Sequence, residues 1–291
     1  MSKIKPFKAL IPNPVHVGRI ISPPYDVIDV EGARCFAEGN PYSFLHITRA
    51  EIDLPTDVAS YDNAVYKKAA ANLEMFQKNG VLIRDGESLY IYRQVMNGHA
   101  QTGLRHVEAA TAAQTGIVAL ASVDEYASGR IKRHELTREE KVVDRAWHAD
   151  AIKAHAEPVF LVHKESGEMS CLILQETMEK PLYDVVGWDG VRHIFWRVKR
   201  AVPIISAFEK FDALYIADGH HRSASAARVR ELHQRNNPNH NGSEDYNFFP
   251  VVIFSEDEVR IFEYKWDGDP LKRPLSDKNW RESGSLASLR S

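Results

Sequence analysis

The feature that most constrains this chain is the run Ala213-Leu-Tyr-Ile-Ala217, then Asp218-Gly219-His220-His221-Arg222, then an Ala-rich stretch to about Gln234. A short apolar run, a turn and a helix-favouring stretch together predict a strand, a loop and a helix. The first amides of a helix have no partner within it, and the macrodipole adds partial positive charge, so such an end stabilises an oxyanion. Gly219 lets backbone approach a phosphate closely. Arg222 supplies a forked donor, His220 and His221 can donate hydrogen bonds or carry protons near neutral pH, and Ser223 adds a hydroxyl in the same turn. Asp218 could take a proton from an attacking hydroxyl, hold Mg²⁺ against phosphates, or simply cap the helix. The plainer alternative is a turn, a cap and a solvated first turn. Adjacent histidines on a helix diverge by about 100° and do not readily share one ion, so no metal site of the chain's own is expected.

Around this unit, short β-branched or aromatic runs predict strands at Leu89–Gln94, Thr115–Leu120, Pro158–Val162, His193–Arg197 and Phe248–Phe254. Helical spacing predicts helices from Asp29 to Glu38, with Gly39 as a left-handed end, from about Ala59 to Asn79, within the charged segment Leu136–His155, and from Val202 to Lys210. The proline-bearing start, Lys5 to Ile28, reads as extended chain and short strands. The alternation defines a mixed α/β (α+β) fold.

Bulk properties narrow the function classes. With 37 basic and 40 acidic side chains the formal charge is −3, which gives no global attraction to nucleic acid, so any anion site must be local. Cys35 and Cys171 exclude a disulfide framework or a four-cysteine zinc site, and reduced thiols point to a cytoplasmic location. No apolar leader follows Met1, and no stretch approaches the roughly 18 apolar residues of a membrane span. The expected partner is a phosphate-bearing small molecule, with a homo-oligomer left open.

Six motifs in one order carry a family resemblance: Pro23-Pro-Tyr-Asp-Val-Ile28, Asn40-Pro-Tyr42 with His46, Tyr92-Arg-Gln94, His134-Glu-Leu-Thr137, Asp189-Gly-Val-Arg-His193 and Ala217-Asp-Gly-His-His-Arg222. Over residues 5 to about 264 the chain resembles the DUF1015 family of uncharacterised bacterial proteins. Its Asp-Gly-His-His-Arg box further resembles the phosphate-binding box of the ParB and sulfiredoxin superfamily, which includes free-serine kinases. The resemblance implies a ParB/sulfiredoxin-like core with additional α/β elements, and a kinase-type phosphotransferase. The implied acceptor is a small hydroxyl compound such as L-serine; the donor is pyrophosphate or a nucleotide such as ATP or ADP, with Mg²⁺ as accompanying ion. A nucleotide-binding regulatory module and a phosphohydrolase or nuclease are the alternatives. Members run on for about a hundred residues past the point where this chain reads Trp266-Asp-Gly-Asp-Pro270. The expected organisation is an N-terminal α/β region (1–110), the core region (111–264) and an atypical, poorly ordered tail (265–291).

Other candidates come from the same motifs. Asp26, placed by two prolines, suits a catalytic carboxylate or an ordinary turn, and Tyr25 beside it could bind a ligand or fill a core. Tyr42 and His46 lie in a second proline turn expected to lead into a strand, where a lone histidine is more often a bonded core residue. His134 and Glu135 are expected to project from a loop, with Thr137 and Glu140 at capping-box spacing. Lys141 and Arg145, four apart, could bind a second phosphate or form a solvated face. Arg93, between aromatic neighbours in a strand, needs an anionic partner if buried.

Overall fold

The structure, a computed structural model, describes residues 2–96 and 112–259. The tail 265–291 and the boundary at 110 fall outside those residues.

The chain opens with β1 (Ile4–Lys5) and β2 (Phe7–Pro12), then α1 (Val17–Ile20), α2 (Val30–Ala37), α3 (Leu45–Thr48) and α4 (Asn63–Lys78). Next come β3 (Leu82–Ser88), β4 (Tyr90–Met96), β5 (Ala112–Ser122), α5 (Val123–Ala127), β6 (Ile131–Lys132), α6 (Glu139–Ile152) and β7 (Val159–His163). The remainder is α7 (Gly167–Thr177), β8 (Tyr183–Val186), β9 (Arg192–Arg197), α8 (Ala201–Phe208), β10 (Leu214–Asp218), α9 (His220–Asn236) and β11 (Phe248–Ser255). Nine strands form one sheet in the order β6-β10-β7-β11-β5-β4-β9-β8, with β1 added on β5; β2 and β3 make a separate antiparallel pair. β10 with β6 and β11 with β7 are parallel, and the other pairings are antiparallel. The fold is mixed α/β, as expected.

Strand periodicity divides this sheet into two faces. Ile91, Ile117, Ala119, Val159, Leu161, Val251 and Ile253 point into the main core, where Met169 and Ile173 of α7 and Ile204 and Phe208 of α8 cover them. Their neighbours Tyr92, Val118, Leu120, Phe160, Pro250 and Val252 line an open cleft of about 1930 Å³ on the other face. A second core joins Val65, Ala69, Leu73 and Phe76 of α4 to Ile20, Ile47, Leu82 and Ile152. α6 meets α9 through Ala146, Ala149 and Val229, which holds the start of α9 at one end of the cleft.

Local chemistry explains where several elements begin. Asp29 caps α2 by accepting from Gly32 N–H, and Gly39 follows at φ 68°. The long helix starts at Asn63, later than expected, because Asp62 caps it through Ala64 N–H; Tyr61 lies outside it and is exposed. Thr137 is not a cap: α6 begins after Arg138, with no side-chain cap, and places Glu139 and Glu140 in its first turn, where negative charge suits the dipole. His46 sits on the short helix α3 instead of a strand. β3, α7 and β8 lay outside the sequence expectations. β3 reads Leu-Ile-Arg-Asp-Gly-Glu-Ser with four residues exposed, so its pairing with β2 leaves little apolar alternation to read. Among the described residues no helix is long and apolar enough to cross a membrane.

Candidate functional site

β10 ends at Asp218, and Gly219 turns the chain into α9 at φ 94°, a left-handed conformation open to glycine. Space adds a second constraint, because a Cβ on Gly219 would lie 3.1 Å from Arg222 Nε and 3.2 Å from its Cζ. Arg222 folds back over this turn, donating from Nη2 to the Asp218 carboxylate and from Nη1 to the Pro158 carbonyl. Asp218 is thereby committed to Arg222, and no side chain caps α9. The bonding of the helix end begins with Ser223 N–H donating to the Gly219 carbonyl at 2.9 Å, which leaves the amides of His220, His221 and Arg222 ahead of it. Ser223 is buried, its hydroxyl turned back to the Gly219 carbonyl at 3.2 Å.

The two histidines hold a neighbouring loop. His220 Nε2 accepts the His134 N–H at 3.5 Å, and His221 Nε2 accepts the Arg138 N–H at 3.1 Å. Acceptance at Nε2 leaves the neutral ring's proton on Nδ1, and His220 Nδ1 lies 3.4 Å from Glu135 Oε2. The His134 ring meets His220 edge-on at 4.4 Å. Burial, then the charge of His134, pushes His220 down to about 4, and burial followed by Lys141 lowers His221. Both rings are therefore held neutral at neutral pH.

The opposite wall is built by Tyr25, Asp26 and Glu157. Tyr25 N–H donates to Glu157 Oε1 at 3.3 Å, and the Arg145 guanidinium lies 4.2 Å from the Tyr25 ring centre. Burial pushes the Tyr25 phenol up. Arg145 pairs with Asp144 at 2.6 Å, and Asp144 accepts from Tyr66 at 2.9 Å, so this guanidinium is anchored within the fold. Glu157 Oε2 is 4.0 Å from Arg222 Nη1. Burial raises its carboxyl to about 7, with Arg222 pulling the other way and Asp26 adding to the rise.

Of the residues singled out in the sequence, Tyr25, Asp26, His134, Glu135, Asp218, Gly219, His220, His221 and Arg222 line this one cleft, and Lys141 joins them. Ser223, Tyr42, His46, Arg93 and Arg145 are not in its lining. Tyr42 packs against His16 at 4.8 Å and under the Arg19 guanidinium at 4.5 Å. His46 bonds Asp53 at 2.8 Å and the Asn40 carbonyl at 3.1 Å. Arg93 is half-buried and projects to the face opposite Tyr92, where it donates to Thr115 Oγ1 at 2.9 Å and lies 5.2 Å from the Trp196 ring. Sequence reasoning missed Glu157 and the adjacent His155, both in the cleft lining. Neither carries a motif: Ala156-Glu-Pro158 places a carboxylate just before the apolar run that becomes β7, and nothing in that run marks it. Among the described residues no cluster of His, Cys, Asp or Glu is arranged to hold a metal ion.

A mixed α/β protein with a strand-loop-helix turn in the lining of an open cleft is the class that fold and geometry define. The chain belongs to the family described as "Protein of unknown function (DUF1015)", which matches residues 4–265. No curated protein and no solved structure matches it.

Proposed function

We propose that the protein transfers a phosphoryl group from pyrophosphate or a nucleotide to a small hydroxyl acceptor, with L-serine as the first candidate, in the manner of the ParB/sulfiredoxin-like free-serine kinases its Asp-Gly-His-His-Arg box resembles. The observation that carries this reading is convergence. Three segments far apart in sequence, 25–26, 134–135 and 218–222, line one cleft whose end is an uncapped helix start beside a guanidinium. Phosphoryl transfer asks a protein mainly to position groups and to neutralise charge spreading over the transferred oxygens. The amides of His220 to Arg222 would hold the phosphate, Arg222 would exchange part of its bonding to Asp218 for phosphate oxygens, and Lys141 adds positive charge at the rim. Asp218, released from Arg222, would hold Mg²⁺ against the phosphates.

One observation favours a second reading, a nucleotide-responsive module without turnover. The two histidines are already occupied in clamping the 134–138 loop, so a ligand at the helix end would be felt by that loop. One experiment separates the readings: the protein is incubated with pyrophosphate, ATP or ADP and Mg²⁺, with and without L-serine, and products are followed by phosphorus NMR and mass spectrometry. Serine-dependent phosphoserine is the expected outcome. Phosphate release without acceptor makes it a hydrolase, binding without turnover makes it a module, and no binding of any of the three sinks the proposal.

A further inference from the structure

We infer that Glu157 is the catalytic carboxylate that takes the proton from the acceptor hydroxyl, a role that rests on the phosphoryl-transfer reading above. No motif points to this residue; its place in the fold does. Glu157 lies on the short segment between α6 and β7, and the next residue, Pro158, gives its carbonyl to Arg222. The segment that carries the carboxylate is thus tied directly to the guanidinium that would meet the phosphate. Oε1 is oriented by the Tyr25 amide at 3.3 Å, whereas Oε2 stands 4.0 Å from Arg222 Nη1, beyond hydrogen-bond length, and keeps its capacity to accept. The side chain is 17% exposed and lines both the main cleft and a small cavity of about 40 Å³ behind it.

The competing carboxylates are differently placed. Asp218 is bonded to Arg222 and its side chain is 64% exposed. Glu135 is 48% exposed and faces His220. Asp26 is exposed to solvent at the cleft rim. A base works best when its own titration lies near the operating pH. Glu157 meets that condition, since burial holds it at about 7. The charged and titratable groups around it are Tyr25 and Asp26 from the N-terminal loop, Arg145 and His148 from α6, His155 on its own segment and Arg222 from α9. Burial pushes His148 and His155 down to about 4, so they stay neutral through the working range.

The step balances without a further reagent. The acceptor oxygen attacks the terminal phosphorus of the donor, forming an O–P bond as the anhydride P–O bond opposite breaks. The electron pair of that bond departs with the shortened phosphate or nucleotide. The hydroxyl proton passes to Glu157 Oε2.

The test compares wild type, Glu157→Gln and Glu157→Asp for kcat of phosphoserine formation from pH 5.5 to 9, with pyrophosphate affinity by calorimetry and folding by circular dichroism. Wild-type kcat should rise with pH through a midpoint at about 7 and then level. Glu157→Gln should lower kcat by about 10²-fold or more and abolish that limb. It should also retain or tighten pyrophosphate binding, because a negative charge beside Arg222 is gone. Glu157→Asp should keep the limb at reduced kcat, and carries the test if the Gln variant misfolds. Persistence of the limb in folded Glu157→Gln, or its disappearance in Asp26→Asn or Glu135→Gln instead, would overturn the role. If wild type transfers phosphate from no donor, the functional reading fails and the base falls with it; an active wild type with an unmoved limb fails the base alone.

Discussion

His46 and His220 belong to two regions of similar sequence texture, each a histidine in a turn with an Asp nearby, and the fold treats them in opposite ways. His46 is bonded on both ring nitrogens, to Asp53 and the Asn40 carbonyl, and Asp53 also accepts from Asn72 at 2.7 Å. The Asp53 hydrogen bond raises the His46 pKa, while burial opposes it. His220 has carboxylates near it as well, Glu135 and Asp218, yet burial, followed by the charge of His134, drives it down. One cluster closes its bonding within the fold. The other is arranged around a space, with three helix amides ahead of the first helical bond and a guanidinium held at their edge. Local composition does not separate the two; the surrounding charge and the presence of a cleft do.

The largest effect that would break this contrast is at Arg222, whose side chain is 18% exposed and faces Asp218, Glu157 and the Pro158 carbonyl. Arg222→Ala should weaken pyrophosphate binding by about 10²-fold, since a lost hydrogen bond to a charged group costs roughly 1.5–3 kcal/mol, while far-ultraviolet circular dichroism stays native; calorimetry showing unchanged affinity refutes the site. Gly219→Ala should come next. It places a Cβ in left-handed backbone and against the Arg222 side chain, which should cost about 1–2 kcal/mol of stability in urea unfolding and weaken pyrophosphate binding in parallel. Stability unchanged by that substitution would show that the turn does not constrain the guanidinium.

The smallest effect sharpens the comparison through pH. A folded pKa raised above the unfolded value of about 6.5 gives stability that is complete below that value and lost as pH rises through the folded pKa; this is His46. A lowered folded pKa gives stability present above about 6.5 and lost as pH falls toward the folded value; this is His220, down to about 4. His220 therefore acts below about pH 6.5 and His46 above it, with slopes of opposite sign. His220→Asn should make the rise of stability with pH below that value shallower, and His46→Gln should remove a fall of stability above it, in urea melts on both sides of it. Slopes that shift the same way in both variants would contradict the assigned environments.

Much of the architecture was legible because it is local. Apolar residues at Val65, Ala69, Leu73 and Phe76 mark one face of a helix wherever it packs, and the runs at 115–120 and 248–254 are apolar enough to read as strands alone. Thr137 misled because capping-box spacing is a necessary feature and not a sufficient one: the chain enters α6 one residue later, at Arg138. Arg93 could not be placed from its motif alone, because strand alternation sends it to the face away from Tyr92, where Thr115 and Trp196 receive it. Glu157 escaped because its chemistry arises from neighbours 132 and 65 positions away, Tyr25 and Arg222, and a carboxylate before a proline has no signature of its own.

By itself the chain's sequence determined the alternation of strands and helices, the turn at Gly219 and the helix that follows it, because backbone preference and side-chain period act over a few residues. The tertiary structure alone decided that residues 25–26, 134–135, 157 and 218–222 share one cleft, that His46 does not, and that Glu157 is lifted while His220 is lowered. Desolvation and charge act through space, and proximity between distant segments is created only when the sheet and its helices assemble.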